Sequence, residues 1–171
     1  MQPQDQQNQP PLKAAQILRW LAMAEEDGIA FYRGLAGAAE SPWLRELAES
    51  LMEAEERHRK RFLEYAERAE ERHGGTPPPP EHLLPERLVK ALSTRVFDPN
   101  GGWKIGAEHT SESETLEMAI RLEEHLALLL GRIRPYVPRP ERYFISQVIK
   151  EEWGHVERLG ELLAQQCGVQ H

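Results

Sequence analysis

The sequence predicts an all-α fold: a four-helix bundle of two antiparallel helical hairpins, joined by a long crossover that contains a short helix. Of the 171 residues, 25 are glutamate and only 3 are aspartate, and glutamate loses little rotamer freedom in a helix. Four segments place apolar side chains three and four residues apart, the period of an amphipathic helix. A glutamate followed about thirty residues later by Glu-x-x-His occurs in each half of the chain, which indicates two equivalent hairpins.

The first hairpin is predicted to comprise a helix from 12 to 39 and a second helix from 42 to 72. Ser41 and Pro42 are typical of a helix start, with serine as the N-cap and proline at the first helical position. The inner stripe of the first helix comprises Leu18, Leu21, Glu25, Gly28 and Tyr32. That of the second helix comprises Leu44, Leu47, Leu51, Glu55, His58, Phe62 and Tyr65.

Residues 74–110 are predicted to cross from the first hairpin to the second. The four prolines at 77–80 favour extended polyproline II, a short amphipathic helix is expected at 85–97, and the stretch 98–102 reads as a loop. Neither hairpin could bury its apolar stripe alone. The connection therefore lies within one domain, residues 12–166.

The second hairpin is predicted to comprise a third helix, which starts at 111–113 and ends at 134, and a fourth from 140 to 165. Prolines between the two break the helical pattern. The inner stripe of the third helix comprises Leu116, Ala119, Ile120, Glu123, Leu126, Ala127 and Leu130. That of the fourth comprises Ile145, Val148, Ile149, Glu152, His155, Val156, Leu159 and Leu163.

Six polar residues interrupt these stripes at matching heights. Glu25 and Glu55 each lie about 21–24 Å from the turn between their helices, at a rise of about 1.5 Å per residue. Glu123 and Glu152 flank the second turn in the same way. Packing the hairpins together brings one set of side chains to a single level of the core: Glu25, Glu55, His58, Glu123, Glu152 and His155.

This set predicts a carboxylate-bridged pair of metal ions. Four ionised carboxylates in a core would repel strongly, and two divalent cations would neutralise them. Oxygen and nitrogen ligands suit iron or manganese, and zinc is a possible substitute. A lone Glu-x-x-His is weak evidence in so acidic a chain, and the third copy, Glu70 with His73, is interpreted as surface. The prediction rests on the other two motifs, because each lies in phase with an apolar stripe and is paired with a glutamate at the same height on the neighbouring helix.

Other residues near the set are assigned by their phase. Four neighbouring glutamates lie about 100° around their helices and are expected to face solvent; these are Glu26, Glu56, Glu124 and Glu151. Whether Glu124 or His125 joins the site is left open. Tyr32 is the candidate catalytic residue, able to hydrogen-bond the site or donate an electron. A core tyrosine with a satisfied hydroxyl is the alternative.

Composition excludes several other classes of function. The net charge of −7 argues against a nucleic-acid partner, since a phosphate backbone requires a basic face. The longest apolar run, 126–130, is too short to span a membrane, and no signal segment is evident, so a cytoplasmic location is expected. The single cysteine, Cys167, excludes an intramolecular disulfide. Residues 1–11 are predicted to be a disordered tail and 167–171 a C-terminal tail.

At residues 12–165 the chain resembles the ferritin-like superfamily, and within it the rubrerythrin-type di-iron domain. The resemblance rests on the first-helix segment from Glu25 to Tyr32, on the two Glu-x-x-His motifs that lie in phase with the apolar stripes, and on Glu123. It implies a di-iron centre in which Glu55 and Glu152 bridge the ions. It further implies four terminal ligands: Glu25, His58, Glu123 and His155. Bundles of this kind commonly form homodimers.

The chain departs from rubrerythrins in two respects. Rubrerythrins carry a rubredoxin-like module with two Cys-x-x-Cys pairs, whereas this chain has one cysteine. Electrons are therefore expected from an external donor, such as a separate rubredoxin-like protein. Rubrerythrins also place a glutamate three residues after the third-helix ligand, where this chain has Leu126.

The sequence predicts a di-iron oxidoreductase, in which an Fe(II) pair reacts with H2O2 or O2 and the reaction detoxifies the peroxide or oxygen. Two alternatives stay open. One is a ferroxidase or iron-storage protein using the same site. The other is a helical bundle whose metal pair is structural and whose role is binding.

Overall fold

The computed structural model describes residues 13–73, 84–93 and 111–168. The described chain forms five α-helices and one short 3-10 turn, and it contains no strand. The helices are α1 Ala14–Ala38, α2 Pro42–His73, α3 Glu86–Ser93, α4 Glu112–Ile133 and α5 Arg139–Gly168. The 3-10 turn, Arg134–Tyr136, joins α4 to α5. The predicted all-α fold is confirmed.

The helix ends follow local chemistry that the sequence displays. At the start of α4, the Ser111 hydroxyl accepts the Glu114 backbone N–H at 3.2 Å, and the Glu114 carboxylate accepts the Ser111 N–H at 2.8 Å. This reciprocal capping box satisfies N–H groups that have no partner within the helix. Pro135 ends the α-helical hydrogen bonding of α4 and lies in the 3-10 turn. The fourth helix of the bundle, α5, extends to Gly168, three residues beyond the predicted end.

Several sequence predictions fall on residues outside the described part of the chain. These are the proline run at 77–80, the loop at 98–102, the tail at 1–11 and the last residues of the C-terminal tail, 169–171. Of the short helix predicted at 85–97, the structure describes α3, residues 86–93.

The bundle buries two apolar cores, one at each end. The first core contains Leu18 of α1, Phe62 of α2, Ile133 of α4 and Phe144 of α5. The second contains Leu35, Leu44, Leu116 and Leu159 of the same four helices. Thus α2 ends in the first core, whereas α4 begins in the second. A bundle with this arrangement needs a connection that runs from one end to the other.

The described helix of that connection, α3, lies against α1. Its Leu88 is buried, and Leu84, just before the helix, packs against the first core. None of the described helices is long and apolar enough to cross a membrane.

Candidate metal centre

The six residues predicted as metal ligands meet between the two apolar cores. Helix α1 supplies Glu25, α2 supplies Glu55 and His58, α4 supplies Glu123, and α5 supplies Glu152 and His155. Each lies in phase with the apolar stripe of its helix, so the packing that buries the leucines also buries the carboxylates. The structure thus brings together side chains that are up to 130 positions apart in the sequence.

The six form two overlapping groups. Within each group, one ligand atom per residue lies within 4.8 Å of every other. The first group is Glu25, Glu55, His58 and Glu152, and the second is Glu55, Glu123, Glu152 and His155. Glu55 and Glu152 belong to both groups. Two ions held by these groups would therefore share two carboxylates, which is the pattern of a carboxylate-bridged pair.

Close contacts connect the histidines to the carboxylates. His58 Nδ1 lies 2.8 Å from Glu152 Oε1 and 3.8 Å from Glu25 Oε2. His155 Nδ1 lies 3.2 Å from Glu152 Oε2 and 3.6 Å from Glu123 Oε2. The two imidazole rings lie 6.2 Å apart, centroid to centroid. Both imidazoles thus present Nδ1 to the interior of the cluster.

The cluster contains buried polar atoms that protein hydrogen bonds leave without partners. Among the described residues, eight buried side-chain N or O atoms have no hydrogen-bond partner, and seven of them lie here. They include both carboxylate oxygens of Glu25 and of Glu55, and Nδ1 of His58. An unsatisfied buried polar atom costs free energy, and native proteins rarely leave one without an explanation. The residues present therefore fit a pair of cations, which would coordinate these atoms.

The pKa values of three carboxyl groups also indicate that burial disfavours their charged form. Burial, reinforced by the charge of Glu55, raises the pKa of Glu25 well above the ordinary glutamate value. Burial likewise raises the pKa of Glu123 well above that value, despite the lowering effect of His155. The pKa of Glu55 is also raised by burial. Without a cation, burial shifts the equilibrium of each of these groups toward its protonated form.

The remaining three ligand candidates behave as an ion cluster. Although burial opposes it, the imidazoles of His155 and His58 lower the pKa of Glu152 to about 2. Burial lowers the pKa of His155, but the Glu123 and Glu152 carboxylates outweigh it and raise this pKa to about 10. The pKa of His58 is raised for the same reason, chiefly by Glu152. The Glu152 carboxylate thus lies between two imidazoles that favour its ionised form.

Two residues of α1 border the cluster. The Tyr32 hydroxyl is fully buried and donates a hydrogen bond to Glu123 Oε1. Burial and the charge of Glu123 raise the pKa of this phenol well above 10, so it keeps its proton. Gly28 leaves room for a bridging carboxylate, since a Cβ atom here would lie 3.3 Å from Cγ and Oε2 of Glu55.

Glu151 is the site residue that sequence phase did not identify. Its side chain is 47% exposed, in keeping with the predicted solvent-facing position, yet Oε2 lies 2.8 Å from His58 Nε2. The carboxylate accepts the Nε2 proton of His58, which leaves Nδ1 to face the cluster. Carboxylate partners of this kind fix the tautomer and orientation of metal-binding histidines. Among the described residues, no hydrogen bond or ion pair joins the other three flanking glutamates to the six: Glu26 and Glu56 are exposed and Glu124 is partly buried.

Comparison with known proteins identifies the fold. No protein-family model matches the sequence, and no curated relative matches it. The chain is similar to the crystal structure of a protein from Thermotoga maritima that is described as a ferritin-like diiron-carboxylate protein. The TM-score is 0.64 at 17% identity, over 93% of this chain and 99% of that chain. The fold is ferritin-like. At this identity the likeness extends to the fold alone, and the narrower rubrerythrin-type assignment stays a prediction.

Proposed function

We propose that this chain is a di-iron oxidoreductase that uses a reduced iron pair to reduce H2O2 or O2. The observation that supports this most directly is the pair of overlapping buried groups that share Glu55 and Glu152. Glu25 and His58 would complete the coordination of one ion. Glu123 and His155 would complete that of the other.

The donor set favours iron or manganese over a thiolate-preferring metal. All six candidate ligands offer carboxylate oxygen or imidazole nitrogen, and no cysteine lies in either group. The ferritin-like diiron-carboxylate description of the Thermotoga maritima protein supports iron. When bound, a ferrous pair supplies two electrons, one from each ion, for reduction of an O–O bond.

The protein's own contribution is to position ligands and to exclude water. Apolar cores above and below the cluster keep solvent from most of it. Tyr32 keeps its proton and holds Glu123 in place by a hydrogen bond, and it is the nearest phenolic proton to the cluster. His155 is the one member of the six that is not fully buried, with 17% of its side chain exposed. A small oxidant would therefore reach the cluster from the side of His155.

Turnover would require electrons from outside the chain. The sequence contains one cysteine and so cannot form a rubredoxin-like iron site of its own. The donor is accordingly a separate redox protein or a small reductant.

The proposal is tested by anaerobic titration of the metal-free protein with Fe(II), followed by O2 or H2O2 with absorbance recorded. We expect saturation at two irons per chain and a new near-ultraviolet band on oxidation. Glu55→Gln removes a shared charge and should abolish binding of the pair. Glu56→Gln, the same change at the exposed neighbouring position, should leave binding and oxidation unchanged.

The same experiment separates the alternatives. H2O2 reacting much faster than O2 favours peroxide removal, whereas rapid uptake and oxidation of many irons per chain favours ferroxidase and storage, with iron as substrate. A pair that binds but stays inert to both oxidants is structural, and the oxidoreductase proposal is then wrong.

A further inference from the structure

A second cavity lies on the outer side of the bundle, between α3 and α4. It has a volume of about 600 Å³ and is bounded by Arg87 and Leu88 of α3 and by His125, Leu128, Leu129 and Arg132 of α4. None of these residues belongs to the six-residue cluster. A volume of this size is typical of sites for small organic ligands.

The polar lining of this cleft is basic. Arg87 and Arg132 reach it from different helices, and among the residues that the structure describes no glutamate or aspartate lines it. Among the described residues neither arginine forms an ion pair. An anion bound in the cleft would accept charge-assisted hydrogen bonds from these guanidinium groups.

The rest of the described lining consists of His125, Tyr136 and three leucines. Leu88 and Leu129 are buried, while Leu128 is 52% exposed, a large exposure for a leucine. A simple inorganic anion would leave this apolar surface in contact with water. We propose that the cleft binds an organic anion, whose carboxylate or phosphate group contacts Arg87 and Arg132 and whose apolar body covers the leucines.

The proposal is tested by calorimetric titration of the 171-residue chain with matched probes. 4-Phenylbutyrate and phenyl phosphate each combine an aromatic ring with an anionic group, and at least one of them should bind saturably. Inorganic phosphate lacks the apolar body and should bind at least tenfold more weakly than phenyl phosphate, because it buries no apolar surface. 4-Phenylbutylamine carries the opposite charge and should not bind.

Three variants locate the binding site. Arg132→Gln removes one guanidinium from an exposed position and should weaken phenyl phosphate binding about tenfold or more. Leu128→Glu places a carboxylate beside the arginines and should abolish anion binding. Arg158→Gln makes the same change as the first variant at an exposed position of α5, outside the cleft, and should have no effect. Since all three positions are exposed, helical circular dichroism should be unchanged.

Several results would overturn the proposal. Saturable binding of neither organic anion, or binding that Arg132→Gln and Leu128→Glu leave intact, would show that the cleft is not the site. Equal binding of 4-phenylbutylamine would reduce the cleft to a non-selective apolar surface, and equal binding of inorganic phosphate would remove the role of the leucines. A dimer that Leu128→Glu converts to monomer, as measured by analytical ultracentrifugation, would assign the cleft to an interface between two copies.

Discussion

Removal of the Glu151 carboxylate should weaken metal binding although this residue is not a ligand candidate. Its Oε2 lies 2.8 Å from Nε2 of His58, so Glu151→Ala frees the imidazole to rotate and to change tautomer. A hydrogen bond to a charged group contributes about 1.5–3 kcal/mol. Because the Glu151 side chain is 47% exposed, solvent screening reduces this to roughly 1–2 kcal/mol. The expected loss is therefore about five- to thirtyfold in affinity for one ion of the pair.

The assay is anaerobic competition for Fe(II) between the protein and a chromogenic chelator. Glu151→Gln keeps a neutral acceptor for His58 and should lie between the parent and Glu151→Ala. Glu56→Ala truncates an exposed glutamate on α2 and serves as the matched control. A separate readout is the pKa of His58 in the metal-free chain, measured by NMR, which should fall when the carboxylate is lost. Affinity within twofold of the parent, with an unchanged His58 pKa, would refute the reasoning.

Three further predictions concern the same region. Gly28→Ala places a methyl group 3.3 Å from the Glu55 carboxylate, so metal affinity should fall severalfold in chelator competition; Gly34→Ala, which meets nothing within 4 Å, should leave it unchanged. If both variants lose affinity equally, the close approach at Gly28 is irrelevant. Tyr32→Phe removes one hydrogen bond to Glu123, and the variant should still bind two irons per chain. Their oxidation, followed by stopped-flow absorbance, should be at least tenfold slower. An unchanged rate would mean that Tyr32 only packs in the core. The metal-free chain should lose stability to urea as the pH rises from 6.5 to 10, because the folded pKa of His155, raised to about 10, exceeds its unfolded value and the folded state then holds the extra proton. Stability that increases over this window would contradict the assignment.

The sequence predicts the helices and the meeting of the six residues because both depend on helical period alone. Glu25 and Glu55 lie equally far from one turn and in phase with leucines, so antiparallel packing of their helices places the two side chains next to each other. The predicted start of the third helix, at 111–113, includes the N-cap of α4, Ser111. Helix ends without such a signal are less certain, and the C-terminus of α5 differs from its prediction by three residues.

The contact between Glu151 and His58 could not be predicted from the helical period of the sequence. A position one residue from Glu152 points about 100° away from the core, and the exposure of Glu151 agrees with that. However, a glutamate side chain is long enough to reach back across the groove between two helices. The position of His58 on α2 relative to α5 decides whether it does so, and that distance is a property of the packed bundle. The α3–α4 cleft likewise depends on how the helices pack, since Arg87 and Arg132 are 45 positions apart in the sequence.

The cluster also explains how the chain can fold before it binds metal. Burying an unpaired ion costs several kcal/mol, a large part of the roughly 5–15 kcal/mol by which a domain is stable. Burial raises the pKa values of Glu25, Glu55 and Glu123, so protons compete with cations for these carboxylates. The low pKa of Glu152 reflects the two imidazoles beside it, which favour its ionised form without a cation.

Protons and metal ions are therefore alternative occupants of one site. If that is so, loading the pair must expel protons, and metal affinity must rise with pH across the range in which those groups titrate. Titration with Mn(II) in weak buffer, with a pH indicator present, measures the protons released per chain. Release of none would mean that the carboxylates are already ionised in the metal-free protein, and that the burial of Glu25 and Glu123 does not control their protonation.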